Sequence, residues 1–406
     1  MGWARTTAII AVTITIAAYS LLCALSAVAE SNQPALGTSL PFPSGFADAN
    51  QAAVLIADAT DPKHRDRFVP SAGTREQIAT LSRRAYVREP LASQALRNLG
   101  LVADSIDDRA RARLLMNDAE LLTRRDASVN TWLLVDRARE KDFAGVLHFY
   151  DVALRSDPSA RARMLPPLAE AIAAPQLVAP VVEMLSSNPP WEDDFWTEAF
   201  RHDAALDNLA AIRLARARAG YAGNLPHDRA LLDALVDAEK FASAESLYDA
   251  LAKAKSTNGE IVHNSDFSRA SLYPPLDWQL YFSDSLTADL LPASGVLRIA
   301  AFDESPEQAA RQLVALPGDA YVLAVKARGW KAGDKGSLYA KVVCAEGTAD
   351  DASTDRLIID RPNFSVTFRK PVTGCTYNWL ELFAQGPGGG ENAAFDLDSL
   401  SIRPQR

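Results

Sequence analysis

The sequence is poor in the residues that build metal and redox centres. Three cysteines and five histidines occur in 406 residues, too few thiols for a four-thiolate zinc site or a disulfide-dense scaffold. His64, His148, His202, His227 and His263 stand apart, and none forms a spaced ligand pair. There is no Cys-x-x-Cys, no Gly-x-Ser-x-Gly elbow, no Walker loop and no His-Glu-x-x-His. Gly386 to Gly390 is glycine-rich, but no Lys-Ser pair follows it, so it reads as a hairpin loop and not a phosphate cradle. An excess of positive charge is also missing. Lys and Arg number 42 against 51 Asp and Glu, a formal net charge of −9, and nucleic acid needs a basic surface. These absences point away from metalloenzymes, thiol chemistry and nucleic-acid partners, and the expectation is a protein that is not an enzyme.

What is present is a folded, multidomain chain. Hydrophobic residues make up 48% and charged residues 23%, which rules out extensive disorder, and the length exceeds what one core usually holds. From Thr6 to Ala29 no charge appears; Arg5 precedes the run and Ala27-Val28-Ala29 ends it. A basic start, an apolar run and a small-x-small end describe a signal peptide over 1–29, which predicts a periplasmic or secreted protein. The run is also long enough to span a bilayer, so retention as an inner-membrane anchor facing the periplasm stays open. Residues 30–46 read as a polar tether.

Residues 47–256 carry helical periodicity with short, Pro-bounded segments. Leu91 to Val102 with Asp107 to Leu122, Ala127 to Glu140 with Gly145 to Leu154, and Arg229 to Ala238 with Ala242 to Ala254 read as helix pairs. In Gly145-Val146-Leu147-His148-Phe149-Tyr150-Asp151-Val152-Ala153-Leu154, followed by Pro158, the pattern resembles the second helix of a tetratricopeptide repeat. Val146, Tyr150 and Ala153 would take the packing positions, although the Trp-x-x-Leu-Gly opening of that family is absent throughout. The resemblance implies a solenoid of paired helices whose surface binds a protein partner. Arg109, Arg113, Arg124 and Arg125 either line that surface or form solvated helix faces. Trp191-Glu192-Asp193-Asp194-Phe195-Trp196 reads as a helix start with its acids in the first turn and its aromatics inward.

From residue 257 to the C-terminus the pattern becomes β. Val296 to Ala301, Ala320 to Ala327, Ser337 to Cys344, Leu357 to Ile359, Phe364 to Arg369, Trp379 to Ala384 and Ala394 to Ile402 read as strands, separated by turns such as Pro317-Gly318-Asp319 and Gly333-Asp334-Lys335-Gly336. Ser305 to Gln312 reads instead as a short helix-like insert or an extended turn. The opening Asn264-Ser265-Asp266-Phe267, then Pro274-Pro275-Leu276-Asp277-Trp278, and the closing Ala394-Phe395-Asp396-Leu397-Asp398-Ser399-Leu400-Ser401-Ile402 resemble a carbohydrate-binding module of the galactose-binding type. That resemblance implies a jelly-roll β-sandwich that binds polysaccharide. It also implies a structural calcium ion near the first and last strands, for which Asp266, Asp396 and Asp398 are the available oxygen ligands. No other cofactor is expected. Exported bacterial proteins with helical repeats ahead of such a domain resemble the whole arrangement, in cell-envelope or exopolysaccharide settings.

Cys344 and Cys375 are the cysteines left outside the N-terminal run, and in an oxidising compartment such a pair is most simply a disulfide, with two buried free thiols as the alternative. In Trp379-Leu380-Glu381-Leu382-Phe383 strict alternation puts the leucines on one face and Trp379, Glu381 and Phe383 on the other. These three, with Trp330 and Tyr339, are the glycan-binding candidates, since sugars are held by aromatic faces and a few polar groups. The competing reading leaves these aromatics in the sandwich core or over its edges. The fold class expected is therefore α then β, a tetratricopeptide-like solenoid followed by a jelly-roll sandwich, acting as an exported binding or scaffold protein. The alternative is a glycan-active hydrolase or lyase built on the helical region, with Glu192 or Asp193 as its carboxylate.

Overall fold

The computed structural model describes residues 2–39, 44–60, 68–252, 260–332, 336–347 and 353–405. His64, the expected boundary at 256/257 and most of the turn at 333–336 lie outside the described residues. The chain is helical and then β, and it divides into two compact units: Met1–Met164 with Pro189–Trp191, and Leu165–Asn188 with Glu192–Arg406.

The first unit begins with α1 (Gly2–Asn32) and the single turn α2 (Pro34–Gly37). Within α1, Thr13–Glu30 averages a hydropathy of 1.6, and it is the one described helix that is by itself long and apolar enough to cross a membrane. Next come α3 (Gly45–Asp58), α4 (Ala72–Arg88), α5 (Ser93–Asp104), α6 (Arg109–Leu122), α7 (Ala127–Arg139) and α8 (Phe143–Ser156). Consecutive helices pack on each other. The sequence starts them with aspartates whose side chains accept from first-turn N–H groups: Asp108 caps α6, Asp126 caps α7 and Asp142 caps α8. In α8 the fully buried positions are Leu147, Phe149 and Leu154, while Val146, Tyr150 and Ala153 are half-buried.

Arg109 and Arg113 do share a helix face, but that face is turned towards α7. Arg109 Nε reaches Asp136 at 3.2 Å and Arg113 Nη2 reaches it at 3.1 Å, while Arg113 also pairs with Glu140 at 2.8 Å. Burial raises the Asp136 carboxyl, yet the two guanidiniums outweigh it and hold the group below its ordinary range. These arginines clamp neighbouring helices while their side chains stay partly exposed.

In the second unit α9 (Arg161–Ala171, beginning in the first unit) leads to α10 (Val178–Leu185), α11 (Glu192–Ala199), α12 (Leu206–Arg218), α13 (Leu225–Asp237) and α14 (Phe241–Ala252). As expected, α11 opens on Glu192, Asp193 and Asp194 and buries Phe195 and Trp196.

The β part is a sandwich of two five-stranded antiparallel sheets. Its strands are β1 (Gln279–Leu280), β2 (Leu286–Leu291), β3 (Val296–Ala301), β4 (Glu307–Ala315), β5 (Ala320–Lys331), β6 (Ser337–Cys344), β7 (Leu357–Ile359), β8 (Asn363–Arg369), β9 (Tyr377–Gln385) and β10 (Ala393–Pro404). One sheet runs β1-β4-β9-β6-β7 and the other β2-β3-β10-β5-β8. Inward residues such as Leu297, Leu323, Val342, Leu380, Leu382 and Phe395 form one core, and Trp278 belongs to it. The opening segment lies along the closing strand: Ile261 donates to Ile402 and Leu400 donates to Ser265.

The expected helix-like insert at Ser305 to Gln312 is a strand instead. Glu, Gln, Ala, Arg and Leu favour helix, but β4 pairs along its whole length with β9 and also with β1, and tertiary pairing overrides propensity. A bulge between Gln308 and Ala310 leaves Ala309 and Ala310 both buried, which hides the two-residue alternation.

The last helix and the sandwich belong to the same compact unit. Tyr248 of α14 donates to Asp277 Oδ1 at 2.7 Å, while Asp277 Oδ2 accepts from the N–H groups of Leu272 and Tyr273 at 2.9 Å. Tyr377, at the start of β9, donates to Glu245 of α14 at 2.9 Å, and its ring meets Phe241.

Cys344 and Cys375 form a disulfide with Cα atoms 6.0 Å apart and a sequence separation of 31. It ties the end of β6 to the approach of β9. Replacing both cysteines with serine is expected to lower unfolding free energy by about 2–4 kcal/mol through the freer unfolded chain. Urea denaturation with and without reductant checks this, and a wild type insensitive to reductant would contradict it.

Candidate functional site

β9 is the centre of its sheet, with β4 on one side and β6 on the other. Its burial alternates at every residue, so Asn378, Leu380, Leu382 and Ala384 point inward while Trp379, Glu381 and Phe383 reach the outer face half-buried. Register then decides their neighbours. Glu381 lies opposite Arg311 of β4 and Lys341 of β6, and Phe383 lies opposite Tyr339.

Three of the aromatic candidates thus come together with Glu381. The Tyr339 and Phe383 rings stack almost parallel, 5.2 Å apart at 7°. Cations cover the rings: the Arg311 guanidinium lies 4.3 Å from the Trp379 centroid, Arg356 4.9 Å from Tyr339 and Lys341 Nζ 5.9 Å from Phe383. Arg311 also stands 6.0 Å from Tyr281 and donates to Gln279 at 2.7 Å. This layer differs from an open aromatic platform. The ring faces are partly taken by cation–π contacts, so Tyr339 is buried, and the surface offered to a ligand combines ring edges with guanidinium, ammonium, amide and carboxylate groups.

Glu381 is the single carboxylate among these groups. Gln308 Nε2 donates to its Oε1 at 3.0 Å. Burial pushes its carboxyl above the ordinary value, opposed by the Gln308 hydrogen bond and by the charges of Arg311 and Lys341. Burial likewise raises the Tyr339 and Tyr281 phenols. Asp233 of α13 lies near enough for Arg311 to stabilise its charge, although burial and Asp237 raise its carboxyl overall.

Trp330 is placed elsewhere. It sits on β5 in the other sheet, opposite Phe395, with their rings 4.7 Å apart edge to face, and packs against the core. The three aspartates expected to hold calcium each have another partner. Asp266 accepts from Ser268 N–H and Oγ, Asp396 takes Arg298 at 2.8 and 2.9 Å, and Asp398 is paired with Arg328. Arg298 holds the Asp396 carboxyl below its usual range. Asp396 and Asp398 thus pair with opposite neighbouring strands, a donor set that does not fit calcium. Among the described residues no group of three or more His, Cys, Asp or Glu could hold a metal.

Arg311, Gln308 and Arg356 were not legible as site residues. The first two sit on β4, disguised as helix; the one sequence signal for a strand there was the apolar Leu313-Val314-Ala315-Leu316 run ending in the Pro317-Gly318-Asp319 turn.

Glu381→Gln tests the electrostatics. A carboxyl whose folded value is raised stabilises the fold fully below its unfolded value, here 4.5, and loses that contribution as pH rises through the folded value. The variant should therefore gain in Tm relative to wild type between acid and neutral pH. Melting curves across that interval check it, and a gap moving the other way would contradict the burial.

No protein-family model matches the chain. No curated protein matches it either. Among solved structures it is similar to TmCBM61 in complex with beta-1,4-galactotriose, at 12% identity, over 37% of this chain and 97% of that one, with a TM-score of 0.24.

Proposed function

We propose that the β-sandwich binds glycan on the outer face of the β4–β9–β6 sheet, and that the chain is an exported, non-enzymatic binding or scaffold protein of the cell envelope. The observation that carries the reading is the convergence of Trp379, Phe383, Tyr339, Glu381, Arg311 and Lys341 on that face. Sugar sites join aromatic surface to a few fixed polar groups. Arg311, Lys341 and Arg356 against the two carboxylates Glu381 and Asp233 favour an acidic polysaccharide, such as an exopolysaccharide containing uronic acid, over a neutral one.

Affinity electrophoresis and a glycan array with the purified protein test this. Retention by acidic polysaccharides is expected, weakened about tenfold by Trp379→Ala and by Lys341→Ala, as for loss of one charged hydrogen bond or one stacked ring. Wild type that binds no glycan would sink the reading. Turnover of a bound glycan, lost in Glu192→Gln or Asp193→Asn, would replace it with the hydrolase or lyase alternative.

In this reading the paired helices form a tetratricopeptide-like solenoid that holds a protein partner, supported by the sequential packing of α3 to α8. Export is supported by the apolar Thr13–Glu30 window and by the Cys344–Cys375 disulfide. Residues 1–46 fused to a phosphatase active only outside the cytoplasm should give activity. An inactive fusion would refute export, while fractionation of an active one separates a cut signal from a retained anchor.

A further inference from the structure

The helical layer of the second unit contains a buried polar pocket separate from the sandwich. Arg213 and Arg216, one turn apart on α12, are only 6% and 3% exposed. Each guanidinium is half used. Arg213 clamps Asp228 of α13 through Nε at 2.6 Å and Nη2 at 3.0 Å. Arg216 reaches Glu192 of α11 through Nη2 at 3.0 Å. Gly223 makes room for the first clamp, since a Cβ there would stand 1.9 Å from Arg213 Nη2.

The Nη1 atoms of both arginines are left buried with no hydrogen-bond partner, and so is Nδ1 of His227. Native proteins rarely leave such groups unmatched, because each forfeits its hydration with nothing in return. All three residues line one cavity of about 30 Å³ between α11, α12 and α13. At its rim the Asp193 side chain is 78% exposed, 3.5 Å from His227 Nδ1.

We propose that this pocket binds the carboxylate group of a small acid. Glu192 and Asp228 are already matched by guanidinium nitrogens, so the remaining Nη1 donors call for acceptors from outside the chain. A water oxygen needs roughly 10–15 Å³, so the cavity has room for about two oxygens. One carboxylate supplies two, both acceptors, and guanidinium groups bind carboxylates in a fixed geometry. The rest of the acid projects past Asp193 into solvent. Glycan binding by the sandwich is not required for this site.

Calorimetric titration of the full chain with acetate, glucuronate, glucose and chloride at constant ionic strength tests the assignment. Saturable acetate binding is expected, with glucose and chloride inert. Glucuronate binding would assign an acidic sugar, and acetate binding alone a short free acid. Arg216→Gln should weaken acetate about tenfold, the scale of one hydrogen bond to a charged group. Truncating a buried arginine can unfold the layer, so wild-type crystals soaked in acetate supply the second measurement. A carboxylate bridging the two Nη1 atoms supports the site. Two water molecules in its place, or no saturable acetate effect beyond that of chloride, overturns it.

Discussion

The outer sheet face depends on the pleat of one strand. β9 sends Leu380, Leu382 and Ala384 into a core from which water is excluded, so Trp379, Glu381 and Phe383 are forced to the opposite side. Burying those three side chains fixes register, because a slip of one residue would put the leucines in solvent and a carboxylate in the core. Since β9 is central, the same register aligns Arg311 and Lys341 on either side of Glu381. Six side chains from three strands become one surface without any loop having to hold them.

On that surface the aromatic rings are packed by cations as well as by one another. Arg311 over Trp379, Lys341 over Phe383 and Arg356 over Tyr339 reduce ring exposure and hold the long basic side chains close to the sheet. The result is a semi-buried polar layer, and its electrostatics follow from that: Glu381 is held up by burial even with two cations beside it.

Elsewhere, buried aspartates met by arginines knit the helices. Asp48 takes Arg84 and Arg88, Asp136 takes Arg109 and Arg113, and Asp228 takes Arg213. In the first two clusters the arginines are partly exposed and water can complete them. The Arg213 guanidinium has no such outlet, and of these three clusters it is the one that lines the buried cavity, beside Arg216. Such pairs do not add much stability against an apolar packing, but removing one partner leaves an uncompensated charge.

Local pattern was enough for the helices α5 to α8, for strands β3, β6 and β7 to the residue, and for the two faces of β9, because each rests on a period or a turn that neighbours in sequence set by themselves. The Cys344–Cys375 bond was legible for a different reason, there being no other pair to form outside the N-terminal run. What the sequence could not reveal was set by pairing across distance. β4 reads as helix in isolation and became a strand because β9 and β1 supply its hydrogen bonds; Arg311 and Gln308 entered the site with it. Trp330 and Tyr339 look alike in sequence, each an aromatic near a lysine, yet one belongs to the sheet that buries it against Phe395 and the other to the face beside Phe383. The sequence alone determined which side is apolar in strands that alternate cleanly, β9 above all. Only the tertiary structure decided which strands stand side by side, because sheet order is chosen by the burial of the whole core and not by any one segment.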